Sequence, residues 1–355
     1  MRITRHRPPR SGADARAFGK GRPPATSGGS VLILAMWALF FLAALAVVVG
    51  TRVSAGLDLA RRIQAGSAAR LLARAAVAKV MIDSAVDTND WDGLDEPWYN
   101  DERAYKDVTL GDGRYSVSYE MEAQEGRRET RYGVTGEESK INVNRASQAD
   151  IKVFLETAGG ADAIAATELA AAICDWRDPD DDPLTGGAES SYYQSLNPPY
   201  RCHDGEFESL RELLLVKGMG GDLFRRIERY MTVYGSGKVN VNTADAMILT
   251  SVARASGGQA AVCESLVAKL LAFRGGGGVF REPSSSVMTR QLSGAANLQP
   301  EEEALFSAMM GTMATRSTCF GGVACGKARG RETEQSRIDF VFDRERTTIL
   351  DWHEH

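Results

Sequence analysis

"GSVLILAMWALFFLAALAVVVGTR" occupies residues 29–52, and its reading decides the fold. From Val31 to Val49 there is no charge, no proline and no polar side chain. Coiled as a helix, this run rises about 28 Å, close to the thickness of one hydrocarbon core. It is apolar on every side, whereas a helix on the surface of a globular protein keeps a polar face. A secretory signal peptide has a shorter apolar core and is usually cut after it, and "VSA" at 53–55 is where such a cut would fall. Residues 1–29 carry Arg2, Arg5, Arg7, Arg10, Arg16, Lys20 and Arg22 against Asp14, a net of +6. The whole chain is −5, so the body beyond the leader is −11. Basic residues ahead of an apolar span put the N-terminus in the cytoplasm and the acidic body across the membrane. An acidic body also argues against a nucleic-acid-binding surface, which needs a basic face to neutralise phosphates.

Helical periodicity continues past the apolar run. Val53, Leu57, Ala60, Gln64, Ala68, Leu71, Ala75, Ala78, Ile82 and Ala85 recur at steps of three and four. With Gln64 as its polar exception, this stripe is expected to pack on a domain or a partner. Pro97 and the run "TNDWDGLDEP" end the helix, which would be about 85 Å long from Ser30 to Val86. Further on, "RYSVSYEME" (114–122) and "RIDFVFDRE" (337–345) alternate as strands do. A mainly helical block lies between them. Such an order predicts an α+β fold in which a large helical domain is inserted between strands of one antiparallel sheet. The expected segments are a leader (1–29), the long helix (30–90), a first β-region (91–145), the inserted helical domain (146–310) and a second β-region (311–355).

An octapeptide is written nearly twice, as "KINVNRAS" (140–147) and "KVNVNTAD" (238–245). Each copy reads as a short strand and then a helix. Asn144 and Asn242 are expected to cap those helices, since Asn readily accepts from free N–H groups. Two small helical units, each opened by this device, would then form the insertion.

Catalytic signatures are missing. His6 lies in the leader, His353 and His355 in the C-terminal tail, and His203 alone in the body. There is no CxxC, HExxH or GxSxG pattern, and no enzymatic activity is expected. Of five cysteines, Cys174 and Cys202 bracket an acidic loop and Cys319 and Cys325 bracket "CFGGVAC". Both pairs are disulfide candidates in an oxidising compartment, with five free thiols as the alternative. Cys263 lies on an apolar helical stripe and reads as a buried thiol. The loop itself, "CDWRDPDDDPLTGGAESSYY" (174–193), places Asp175, Asp178, Asp180, Asp181 and Asp182 close together, followed by Glu189. Their mutual repulsion calls for solvent or a cation. Hard oxygens in a flexible loop suit Ca²⁺, although the spacing is not that of an EF-hand.

A glycine and a basic leader ahead of a membrane helix resemble the prepilin signature. "GSVLILAMW" (29–37) is similar to the start of the minor pseudopilin K family of type II secretion systems, as are "AICDWRDPD" (172–180), "GGAESSYY" (186–193), "PPYR" (198–201), "ESLRELLLVKGM" (208–219) and "KVNVNTA" (238–244), in the family's order. The resemblance implies a pilin-like long helix packed on the antiparallel sheet. It implies cleavage by prepilin peptidase between Gly29 and Ser30 and methylation of the new N-terminus. Leu34 stands where most pilins have Glu, a mark of the K type. The implied role is at the tip of a periplasmic pseudopilus. The implied partners are the I- and J-type minor pseudopilins, the peptidase and the inner membrane, with no nucleic acid. Calcium is implied as a structural ion held by Asp175, Asp178, Asp180 and Glu189, with Asp182 and Glu206 as further candidates. Ser190 replaces an acid of the family pattern. A different reading takes "VNVNTADAMIL" and "LLLVKGMGG" as helix–hairpin–helix modules of a membrane-anchored DNA receptor, where backbone N–H groups would meet phosphate.

Overall fold

In a computed structural model, residues 28–122, 128–330 and 335–355 are described; the basic leader lies outside the described residues. Helix α1 runs from Gly28 to Val86. The chain divides into two compact units, one ending at Arg61 and one beginning at Arg62. From Ser30 to Gln64 every residue is exposed. This is the one described helix long and apolar enough to cross a membrane.

Within the second unit, the last turns of α1 lie on an antiparallel sheet of order β1-β2-β9-β10-β11. These strands are β1 (Val108–Leu110), β2 (Gly113–Glu122), β9 (Cys319–Ala328), β10 (Gln335–Asp343) and β11 (Thr348–Glu354). The short β3 (Arg128–Arg131) pairs with β2, and β4 (Thr135–Gly136) with β9. Alternation along β10 buries Ser336, Ile338, Phe340 and Phe342 on one face. Against the sheet lie Leu72, Ala73, Ala76, Val77 and Val80 of α1, in one core with Val117, Phe320, Ala324, Ile338 and Phe340.

The face of α1 that meets the sheet differs from the expected one. Leu71 and Ile82 are 66% and 61% exposed, and Ala78 and Ala85 are exposed with them. The buried face is instead Ala69, Leu72, Ala73, Ala76, Val77, Val80 and Ser84, and its alanines lie where helix and strand approach closely. A Cβ on Gly326 of β9 would stand 2.0 Å from the Ala69 carbonyl oxygen. Only glycine fits beneath the helix there. Arg70 and Arg74 reach Glu354 of β11 at 2.5 and 3.0 Å and fix the helix over the sheet edge.

The insertion leaves after β4 and returns at β9, so its two ends are neighbours in the middle of the sheet. It begins and ends nearer the sheet than the expected limits of 146 and 310. β5 (Ile141–Asn142) pairs in parallel with β6 (Met231–Thr232), and β7 (Val239–Asn240) with β8 (Met313–Ala314), all four away from the main sheet. Both octapeptides therefore belong to the insertion. Its helices are α3 (Gln148–Thr157), α4 (Ala163–Arg177), α5 (Ser190–Gln194), α6 (Gly221–Ile227), α7 (Ala246–Ala255), α8 (Ala260–Gly275), α9 (Ser285–Ala296) and α10 (Pro300–Met309). They enclose a second core that includes Phe154, Trp176, Leu213, Leu249, Leu270 and Phe306.

Buried polar contacts tie the neck to the sheet. Glu138 accepts from Thr318 N and Oγ1 at 3.0 and 2.5 Å, from Ser236 N at 3.3 Å and from Cys319 N at 3.3 Å. Arg344 donates to both Asp92 oxygens at 2.8 and 3.1 Å and to the Ser317 carbonyl at 2.7 Å. The backbone N–H of Ser317 also reaches Asp92.

Candidate functional site: an acidic loop on a duplicated helical unit

The two octapeptides fold alike, side chain by side chain. In the first copy Asn142 Oδ1 accepts from Asn144 N at 2.8 Å, and in the second Asn240 Oδ1 accepts from Asn242 N at 3.0 Å. The second Asn of each copy then clasps a distant backbone. Asn144 accepts from Phe207 N and donates to Phe207 O and Val233 O. Asn242 accepts from Phe280 N and donates to Phe280 O and Thr315 O. An arginine at the end of the following long helix closes each lead-in. Arg177 donates to the carbonyls of Val143 and Ala146, and Arg274 to those of Val241 and Ala244.

Asn144 and Asn242 are therefore not the helix caps. Ser147 caps α3 with a capping box through Asp150, and Asp245 caps α7 by accepting from Ile248 N. Each amide is turned to a remote peptide group, and the helix N-terminus is left to Ser147 and Asp245. The paired arginines were not anticipated. Their signal is the near-equal spacing from Asn142 to Arg177 and from Asn240 to Arg274.

One difference between the copies makes the site. After Arg274 the chain reaches Phe280 through four glycines and a valine. After Arg177 it makes a long excursion, 178–206, before the equivalent Phe207. That excursion holds the acidic loop. Asp175 faces it from the last turn of α4, is fully buried, and accepts from Leu184 N at 3.1 Å and Ala188 N at 2.7 Å. A Cβ on Gly187 would sit 1.9 Å from Asp175 Oδ2, so the loop closes over this carboxylate only with glycine there. Ligand atoms of Asp175, Asp178 and Glu189 all lie within 4.8 Å of one another. Glu189 is 2% exposed, yet neither of its oxygens has a hydrogen-bond partner, and Asp178 Oδ1 has none either.

The electrostatics match that crowding. Burial, then the charges of Asp175 and Asp178, push the Glu189 carboxyl up to about 7. Burial and neighbouring carboxylates also raise Asp175 and Asp178 above the ordinary range. Unpartnered buried carboxylate oxygens are costly and rare in folded proteins. Here three acids converge without a cation of the protein's own among their hydrogen bonds. Lys217, beside them, donates instead to the Gly186 and Gly187 carbonyls, at 3.0 Å each.

The remaining expected ligands are placed elsewhere. Asp180 is exposed, and its Oδ1 accepts from Asp182 N at 2.9 Å. Its charge still raises Asp175 and Asp178. Asp182 is exposed on the loop. Glu206 pairs with Arg145 at 2.9 Å, outside the cluster. His203 pairs with Glu212 at 2.8 Å.

All five cysteines are free thiols. A bridge between Cys319 and Cys325 is excluded because both lie on the single strand β9. Six residues of strand separate them by about 20 Å, where a disulfide needs Cα atoms about 4.4–6.8 Å apart. Cys174 and Cys202 are likewise unbridged: Cys174 receives Arg177 at 3.8 Å, and the Cys202 thiol reaches the Asp175 carbonyl at 3.6 Å. Burial and the nearby carboxylates push the Cys202 thiol up to about 12. Cys263 is fully buried.

Residues 136–236 match the family described as Type II secretion system (T2SS), protein K. The match coincides with the first helical unit, from the end of β4 to the turn that joins the two copies. Proteins called type II secretion system protein K are similar to this chain in Pectobacterium carotovorum subsp. carotovorum (35% identical over 92 residues, 24% of this chain and 28% of that one). The same holds in Klebsiella pneumoniae (35% over 86 residues, 24% and 26%) and Aeromonas hydrophila (38% over 81 residues, 22% and 24%). The chain thus spans about a quarter of the length of these relatives. The fold is also that of a chain in the crystal structure of the GspK-GspI-GspJ complex from the enterotoxigenic Escherichia coli type 2 secretion system. That likeness has a TM-score of 0.57 at 13% identity and covers 86% of this chain and 99% of the other. The matched stretch includes the acidic excursion and the first clasp but not the second copy.

Proposed function

We propose that the chain is a minor pseudopilin of a type II secretion system, matured by prepilin peptidase between Gly29 and Ser30 and standing at the tip of a periplasmic pseudopilus. Its N-terminus would be cytoplasmic, α1 would anchor it in the inner membrane, and the body would be periplasmic. The work is assembly rather than catalysis. The observation that carries this reading is the apolar face that α1 turns away from its own sheet. Leu71, Ala78, Ile82 and Ala85 recur at helical spacing and are exposed. A helix seam of that kind fits another long helix by ridges-into-grooves packing. The partners this favours are the I- and J-type minor pseudopilins. Leu71→Arg together with Ile82→Arg should abolish co-purification with both while leaving the melting temperature within a degree or two. Retained co-purification would refute the seam.

The acidic excursion supports a structural Ca²⁺. The donor set is hard, anionic and convergent, and the unpartnered oxygens of Glu189 and Asp178 are the groups an ion would satisfy. Asp175, Asp178 and Glu189 would hold it, with Asp180 close by. Bound there, the cation would neutralise the loop and stabilise the folded state by mass action. The detergent-solubilised chain should melt at a higher temperature in millimolar Ca²⁺ than in chelator. Mg²⁺ should help less, because it dehydrates reluctantly. Asp178→Ala with Asp180→Ala should remove the shift. An identical melting temperature with and without Ca²⁺, and no metal by elemental analysis, would overturn the site.

A further inference from the structure

We propose that Glu189, Cys202 and Asp204 form a second metal centre, which takes a thiophilic divalent ion of the zinc type rather than calcium. One ligand atom from each of these residues lies within 4.8 Å of the others. Glu189, which the calcium cluster shares, points to an ion here as well: it is 2% exposed and both of its oxygens are unpartnered. Glu189 belongs to both clusters and has two oxygens, so its carboxylate can bridge two ions. Ser190 locks the second set together, its hydroxyl accepting from Cys202 N at 3.2 Å. Cys202 is 6% exposed, whereas Asp204 is exposed and gives the ion a way in.

The donor chemistry sets the class of ion. A thiolate with two carboxylates is a mixed sulfur–oxygen set, which calcium does not favour and zinc does. Zinc bonds of about 2.0–2.3 Å put tetrahedral ligand atoms roughly 3.3–3.8 Å apart, so a set spread over up to 4.8 Å draws together on binding, and Asp204 is its exposed member. On binding, the Cys202 thiol loses its proton to solvent and the sulfur bonds the metal. Three negative ligands then surround a doubly positive ion, and water can fill the fourth position.

Cadmium is the probe, because its bond to a thiolate gives a charge-transfer absorption in the ultraviolet. The reduced, metal-free full chain in detergent should show this band on Cd²⁺ addition, saturating at one ion per chain. Cys202→Ser should abolish the band while keeping the calcium-dependent rise in melting temperature. Cys263→Ser should keep the band. Asp204→Asn should weaken cadmium binding at least tenfold and leave the calcium shift alone. No band in the unaltered chain, or an undiminished band in Cys202→Ser, would overturn the centre. A missing calcium shift with the cadmium band intact would instead count against the calcium loop alone.

Discussion

Replacing Asn242 with Ala isolates the clasp that closes the second helical unit. Asn242 is 1% exposed and serves Phe280 N, Phe280 O and Thr315 O at 2.9, 2.8 and 3.4 Å. The Thr315 carbonyl keeps a second donor, Asp92 N at 2.8 Å. Truncation therefore strands one buried N–H and one buried carbonyl, both on Phe280. At about 1–3 kcal/mol for each buried unsatisfied group, and with some relief from water entering the space, the loss should be about 2–4 kcal/mol. Asn144→Ala removes the same bonds from Phe207, but Asn144 is partly exposed and water can take its place. Its cost should be about 1 kcal/mol. Asn242→Asp is sharper still. It keeps an acceptor for Phe280 N but turns a carboxylate towards two carbonyl oxygens, so it should be worse than Ala at neutral pH and recover as acid protonates it. Urea titration of the full chain in detergent would read these changes as midpoint shifts, with Trp176 reporting the insertion by fluorescence. An Asn242→Ala protein within about 0.5 kcal/mol of the original, or one less affected than Asn144→Ala, would refute the burial argument.

Gly326→Ala should lose at least about 3 kcal/mol, or fail to fold, because its Cβ would meet the Ala69 carbonyl. Gly294→Ala, in α9 with open space around it, should gain about 0.5–1 kcal/mol in the same titration. Burial raises the Glu138 carboxyl despite its bonds from Thr318. The folded state then holds this proton more tightly than the unfolded state does, so the contribution of Glu138 is full below the ordinary Glu range and declines as pH rises through the raised value. Thermal melts from pH 4 to 8 should show that decline, shared with the raised carboxyls of Glu189, Asp175 and Asp178, and Glu138→Gln should lessen it; an unchanged slope would remove Glu138 as a source. Gly29→Val should leave an uncut precursor, visible by intact mass in cells that carry prepilin peptidase; normal processing would move the cut.

What could be read from the sequence followed the strength of its periodicity. The apolar run and the alternation in β2 and β10 are uninterrupted, and all three elements lie where the pattern puts them, to within two residues at the ends of the strands. The central strand β9 was not legible. "CFGGVACGKA" spends positions on glycine where α1 and the neighbouring strand come close, which erases the alternation of apolar and polar residues. The same closeness misdirected the reading of α1. Large residues such as Leu71 and Ile82 look like a core face, but the sheet takes the neighbouring face, where Ala69, Ala73 and Ala76 alternate with Leu72, Val77 and Val80. In the acidic loop, composition identified the acids and not their company. The end of α4, the turn at Gly187 and the partnership of Glu206 with Arg145 decide which carboxylates meet, and none of these is a local property. Cys202 and Asp204 were hidden for the same reason, since they meet Glu189 only after the chain has returned past "PPYR".

The neck of the insertion has a mechanical consequence. A domain hung from one strand swivels about a single backbone bond. This one departs after β4 and comes back at β9, side by side, and Glu138 and Arg344 rivet the two crossings to each other and to the strands beneath. A sideways push on the helices therefore loads both crossings together, and neither can yield without the other. The thrust passes into the middle strand of the sheet, the one on which the last turns of α1 lie through Gly326. Helical head and β-body are thereby joined through two neighbouring crossings rather than one.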